Sequence, residues 1–110
     1  MEKKILVSCS AFLENEKKQF LFLKRSENSS WGKNQWQLPE GKMEWGETPE
    51  QTIKREVFEE ISCKIKEIEY IGFQTVNIKT PNTDYHVLSL IFKAKIDNKE
   101  IKLSDEHNAF

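Results

Sequence analysis

The stretch Arg55-Glu56-Val57-Phe58-Glu59-Glu60 holds the side chains with the clearest chemical potential. At about 100° per residue, a helix sets Glu56, Glu59 and Glu60 (i, i+3, i+4) on one face. Ile53, Val57 and Ile61 form a narrow apolar stripe at spacing four. The expectation is that this stripe meets a core while the three carboxylates project from the opposite side. Such like charges destabilise an isolated helix by roughly a few tenths of a kcal/mol per pair. A hard divalent cation reverses that sign, because Mg²⁺ and Mn²⁺ seek carboxylate oxygens. Arg55, one turn before Glu59, is placed to hold and orient one carboxylate. A glutamate-rich helical face alone is ordinarily just solvated. The preceding loop, Glu40 to Glu47 with Gly41 and Gly46, is what sets this one apart.

The elements that must position these residues are legible along the chain. From Lys4 to Leu13 the sequence alternates, with Ile5, Val7, Cys9, Ala11 and Leu13 on one face of a half-buried strand. Glu14 to Lys18 reads as a turn. Phe20-Leu21-Phe22-Leu23 is a continuous apolar run, expected as a strand covered on both faces. Ser26 to Gln35 is a loop, and Trp36 to Pro39 is extended because Pro39 disfavours helix at Leu38. Thr48 then caps a helix, with Pro49 at its first position and Gln51 completing a T-x-x-Q capping box. That helix stops near Ser62. Ile65 to Lys79 is strand-like, with Gly72 marking a bulge or bend. Thr80 to Asp84 is a turn. His86, Leu88, Leu90, Phe92, Ala94 and Ile96 share one face of a strand whose other face carries Val87 and Ile91, so that strand is central. Asp97 to Glu100 is a second turn, and Ser104 is placed to cap a further helix. The sum is an α+β sandwich.

Composition bounds the rest. A chain of 110 residues is expected to form one domain, 1–110. With 17 basic and 18 acidic residues the net charge is −1, which argues against a polybasic nucleic-acid module or a membrane-surface helix. No apolar run approaches the roughly 18–20 residues that span a bilayer. The apolar stretch after Met1-Glu2-Lys3-Lys4 is brief and alternates like a strand, so it is not read as a signal peptide, and the expectation is cytoplasmic. Cys9 and Cys63 are too few and too far apart for a disulfide framework or a zinc site, and read as buried free thiols.

The spacing itself runs Gly41, five residues, Glu47, seven residues, Arg55-Glu56-Val57, one residue, Glu59-Glu60. This resembles the Nudix box, G-x5-E-x7-R-E-U-x-E-E-x-G-U, where U is a bulky aliphatic residue. The usual approach W-x-L-P-G-G is met by Trp36-Gln37-Leu38-Pro39-Glu40-Gly41. Elsewhere the resemblance is looser but spans nearly the whole chain, and Leu103 to His107 is similar to an acidic segment of many members. Ser62 stands in place of glycine, Cys63 in place of the aliphatic residue, and Glu40 in place of the first glycine of the approach. The chain also ends at Phe110, where relatives usually continue through another strand and a helix.

The resemblance implies a Nudix-type α/β/α sandwich with a mixed sheet, its C-terminal helix missing, as a trimmed, minimal or partner-completed domain. A homodimer would then supply the missing burial. It also implies hydrolysis of a phosphoanhydride in a nucleoside diphosphate linked to another moiety, dependent on Mg²⁺ or Mn²⁺. A nucleoside triphosphate or dinucleoside polyphosphate is the favoured substrate, with neither membrane nor nucleic acid as partner. Glu56, Glu59 and Glu60 would hold the metal, with the carbonyl of Glu40 as a further ligand. Glu56 is the first candidate for general base and Glu106 its competitor, while Glu47 and Arg55 lock loop to helix. Lys24 and Arg25 end a strand leading toward the site and are candidates for phosphate. Trp31, Trp36, Phe73 and Tyr85 are candidates for base stacking, with packing as the alternative. His86 is read as a partly buried, satisfied histidine, and His107 stands near Glu106. Trp45 finds no place in this scheme. Two other classes stay open: a Nudix-like nucleotide-binding or regulatory domain that turns nothing over, and a structural domain with an acidic face that binds no metal.

Overall fold

A computed structural model describes residues 1–27, 34–97 and 100–103, and the backbone of 107–109. The elements in chain order are β1 (Glu2–Glu14), β2 (Leu23–Arg25), β3 (Trp36–Gln37), β4 (Glu40–Lys42), α1 (Pro49–Ile61), β5 (Ile65–Lys79), β6 (Thr83–Ile96) and β7 (His107–Ala109). The alternation from Lys4 onward becomes β1, whose Cys9, Ala11 and Leu13 are fully buried. β1 pairs in parallel with β6, and β5 pairs antiparallel with β6. Parallel pairing requires a long crossover, and the intervening chain carries α1. The main sheet has the order β4-β1-β6-β5, and a second, antiparallel sheet has the order β3-β2-β7. β6 is therefore central, as its two-sided pattern predicts. Phe92, Ala94 and Ile96 are buried on one of its faces, Val87 and Ser89 on the other. The register of β5 shifts between Tyr70 and Gly72, the bulge read from the glycine. Thr80 closes the β5–β6 turn, its hydroxyl accepting from Thr83 N at 3.1 Å.

Local sequence fixes α1 at both ends. The Thr48 hydroxyl accepts from Gln51 N at 3.2 Å, and the Gln51 carboxamide accepts from Thr48 N at 2.9 Å. At the C-terminus Ser62 takes a left-handed conformation, φ 61°, and its N–H donates to Phe58 O at 2.9 Å. Ile53, Val57 and Ile61 are fully buried against Cys9, Ala11, Leu13, Phe92 and Ala94. Each contributes about 1.5–3 kcal/mol of burial, which anchors the helix on the sheet.

Two expectations need correction. The apolar run Phe20 to Leu23 is not a strand covered on both faces. Asn15 folds the chain back, its side chain accepting from Lys17 N and Gln19 N, and β2 starts only at Leu23. Leu23 is fully buried while Phe20 and Phe22 stay 46% exposed; alternation sends them outward, and no second layer covers them among the described residues. Ser104 lies outside the described residues, and the segment after it pairs with β2 as β7 instead of forming a helix. Among the described residues α1 is the only helix.

Left-handed backbone costs an L-residue about 1 kcal/mol relative to glycine. Ser62→Gly is therefore expected to raise the melting temperature by a few degrees in thermal unfolding followed by circular dichroism. A lower melting temperature would mean that the serine side chain supplies compensating bonds.

Candidate active site

The loop between β4 and α1 has little regular structure, yet it is held by side-chain bonds converging on Arg55. Arg55 grips Glu47 bidentately, Nε to Oε2 at 2.6 Å and Nη2 to Oε1 at 3.0 Å. Nη2 also donates to Lys42 O at 3.0 Å. Nη1 donates to Glu56 Oε1 at 2.6 Å and to Glu59 Oε2 at 3.3 Å. The remaining capacity of Glu47 is filled by Glu44 N at 2.9 Å and the Thr52 hydroxyl at 3.0 Å. Donation from Arg55, then from Glu44 N, pulls the Glu47 carboxyl down to about 2, burial opposing. Arg55 is in turn raised above its ordinary value, chiefly by Glu47.

Gly41 lies opposite Cys9 in the β4–β1 ladder, and Glu40 lies opposite Ser10. A Cβ on Gly41 would overlap the Glu56 side chain, so the helix carboxylate packs directly over bare backbone. This is the physical reason for glycine there. Strand alternation turns Glu40 to the other face of the sheet, where burial raises its carboxyl and the nearby Arg25 charge opposes that shift. Cys9 sits beneath the clamp; burial, then the Glu47 charge, pushes its thiol up to about 11, against a hydrogen bond with Thr52.

The three helix carboxylates do not all project away from the core. Glu59 is outward, its side chain 58% exposed, and Glu56 is largely covered at 15%. Glu60 is 2% exposed. On the helical wheel Glu60 falls about 20° from Ile53, so it borders the apolar stripe, and the carboxylates fan from solvent to core.

The other candidates separate. Arg25 is 9% exposed and faces Glu40, so it is buried at the sheet junction. Lys24 and Trp36 are cross-strand neighbours on the second sheet. Trp36 is 55% exposed beside a cleft of about 470 Å³ that Phe20, Phe22, Leu21 and Ile101 also line. His86 is exposed, not partly buried, with Nδ1 2.7 Å from Asn77 Oδ1. Phe73 is 65% exposed. Trp31 and Glu106 lie outside the described residues, as does the side chain of His107. The spacing offered no signal for the Glu40–Arg25 proximity or the thiol beneath the clamp; both cross between elements distant in sequence.

The donor type suits Mg²⁺ or Mn²⁺: Glu56 stands over the bare backbone of Gly41, and Glu56 and Glu59 share one nitrogen of Arg55. Among the described residues, no three His, Cys, Asp or Glu side chains stand together closely enough to hold a metal ion.

Residues 4–110 match the NUDIX domain family, and the chain belongs to that family. The crystal structure of a MutT protein from Methanosarcina mazei Go1 is 32% identical, with a TM-score of 0.78; the match covers 98% of this chain and 75% of that one. An RNA pyrophosphohydrolase of Actinobacillus succinogenes is 42% identical over 57 residues, 52% of this chain and 26% of that protein. A MutT-like protein of Streptomyces ambofaciens is 29% identical over 103 residues, 94% of this chain and 60% of that protein. The chain thus spans less than two thirds of the length of these curated relatives.

Because the folded-state value for Glu47 lies below the ordinary one near 4.5, its contribution to stability is complete above about pH 4.5 and is lost as pH falls toward 2. Urea midpoints measured from pH 6 to pH 2 are expected to drop across that window in the parent protein. In Glu47→Gln the drop should be shallower and the midpoint at pH 6 already lower. An identical pH profile in the two proteins would rule out the clamp as the acid-sensitive element.

Proposed function

We propose that this chain is a Nudix hydrolase that uses Mg²⁺ or Mn²⁺ to cleave a phosphoanhydride in a nucleoside diphosphate linked to another moiety. The observation that carries the reading is the Arg55 clamp, which brings Glu56 and Glu59 to one guanidinium nitrogen over the gap at Gly41. Glu56, Glu59 and Glu60, with the carbonyl of Glu40, would hold the metal. When bound it would neutralise the diphosphate oxygens and acidify the attacking water. Glu56, largely covered and oriented by Arg55, is the proposed general base, with Glu106 as the competing carboxylate. Glu47 and Arg55 act by position, holding the loop against the helix. Lys24 and Trp36 are the open substrate-contact candidates.

Nucleoside triphosphates and dinucleoside polyphosphates head the substrate class. Relatives named RNA pyrophosphohydrolase add an RNA to that class. Serine in place of the box glycine does not break the helix, which closes at Ser62 with its backbone bond made, so the carboxylate helix is whole and favours turnover over a binding-only domain.

In a coupled phosphate-release assay over a nucleotide panel, Glu59→Gln or Glu56→Gln is expected to lower kcat by about 10²-fold or more. EDTA should abolish turnover and added Mg²⁺ restore it. Rates in Glu56→Gln and Glu59→Gln equal to the parent's would overturn the assignment. Tight Mg²⁺-dependent nucleotide binding without turnover would favour the binding domain.

A further inference from the structure

Thr52 is the most deeply buried polar side chain among the described residues, at 0% exposure. Threonine is a poor helix former, because its branched Cβ crowds the preceding turn. Its place at the fourth residue of α1 therefore needs a physical reason. The common one is a bond from the hydroxyl back to the carbonyl four residues earlier, and Thr48 O does lie 3.2 Å from Thr52 Oγ1. That carbonyl is already served by Thr52 N at 3.0 Å. A hydroxyl has one proton to give. Its other acceptor, Glu47 Oε1, is nearer at 3.0 Å and carries charge, which makes it the stronger partner. The proton goes to Glu47.

Four donors meet the Glu47 carboxylate, which offers about four lone-pair sites. They are Glu44 N at 2.9 Å, Arg55 Nε at 2.6 Å, Arg55 Nη2 at 3.0 Å and the Thr52 hydroxyl. They differ in what they are rooted in. Glu44 N rides on the loop, and the guanidinium stands at the end of a long side chain with much rotamer freedom. The Thr52 hydroxyl sits on Cβ, behind a single stiff torsion. Its neighbour Ile53 is fully buried against the sheet, and the fully buried Cys9 of β1 meets the hydroxyl from below. Thr52 is thus the one of these donors whose position is fixed independently of the clamp. Resting on the hydrolase reading, we infer that Thr52 is a positioning residue for the Glu56 carboxylate. Its hydroxyl sets Glu47, Glu47 sets the plane of the Arg55 guanidinium through two bonds, and Nη1 then aims Glu56. The far end of that chain has no slack, because Glu56 fills the space that a Cβ on Gly41 would need.

The test compares the parent, Thr52→Val, Thr52→Ser and Ile53→Val over the nucleotide panel with Mg²⁺. Valine keeps the shape of threonine and removes the hydroxyl, and serine keeps the hydroxyl. Thr52→Ala, a better helix former, makes the same deletion should the valine variant not fold. Thr52→Val is expected to lower kcat about tenfold with KM within about twofold of the parent's, and Thr52→Ser to keep most of the parent rate. Ile53→Val trims the adjacent core side chain, so its melting temperature should fall while kcat holds. The Arg55 Nε proton, 2.6 Å from Glu47 as donor to acceptor, gives a readout independent of turnover. Its exchange with solvent, followed by NMR, is expected to be about tenfold faster in Thr52→Val than in the parent and in Thr52→Ser. An unchanged kcat in Thr52→Val would overturn the positioning role. So would an equal loss in Ile53→Val, which would reduce Thr52 to helix stability, or a loss in Thr52→Ser as large as in Thr52→Val. If the parent turns over no member of the panel, the hydrolase reading fails, and the exchange rates alone decide whether Thr52 holds the clamp.

Discussion

Five donors on one guanidinium hold the site together. Nε–H and the four Nη hydrogens of Arg55 meet two oxygens of Glu47, one each of Glu56 and Glu59, and the carbonyl of Lys42. That uses the whole donor inventory of arginine. A lysine, with three donors on a compact head, could not serve loop, helix and backbone together. Exposed ion pairs contribute little because water screens them and two long side chains must be ordered. This one differs in being bidentate, largely covered at 23% side-chain exposure, and shared among several partners. In the loop from Lys42 to Glu47, Met43 N still donates to Val7 O at 2.9 Å and Glu47 N to Glu44 O at 3.1 Å; the clamp adds the side-chain bonds that tie this loop to the helix.

The clamp is incomplete as charge compensation, and that incompleteness bears on function. Glu44, Glu47, Glu56 and Glu59 all approach a single positive charge, so the edge stays acidic. Glu60, next along the helix, is carried into the core at 2% exposure. Under the proposed function, a divalent cation would offset this repulsion.

Local features were legible and non-local ones were not. The T-x-x-Q box, the proline after it and the stop at Ser62 are set by neighbouring residues, and the structure forms each where the sequence places it. Gly72 marked the bulge, and the two-sided β6 pattern marked the centre of the sheet. Glu60 is buried because it stands only about 20° from Ile53 around the helix, beside the apolar stripe and not opposite it, although it also neighbours Glu56. The run Phe20 to Leu23 failed because hydrophobicity alone does not say whether a second layer exists to cover both faces. The burial of Arg25 against Glu40 joins two elements that no spacing rule connects.

β4 shows why one departure from the Nudix approach motif is tolerable and its neighbour would not be. Adjacent residues on a strand face opposite ways. Gly41 faces α1, where any Cβ would strike Glu56, so a side chain there would displace the carboxylate that Arg55 orients. Glu40 faces the other side of the sheet, where Arg25 of β2 lies near. Its side chain therefore never enters the space of the helix carboxylates. Its carbonyl belongs to the backbone and is the same group that a glycine would present. The substitution changes what supports the strand from behind and leaves the oxygen it offers untouched.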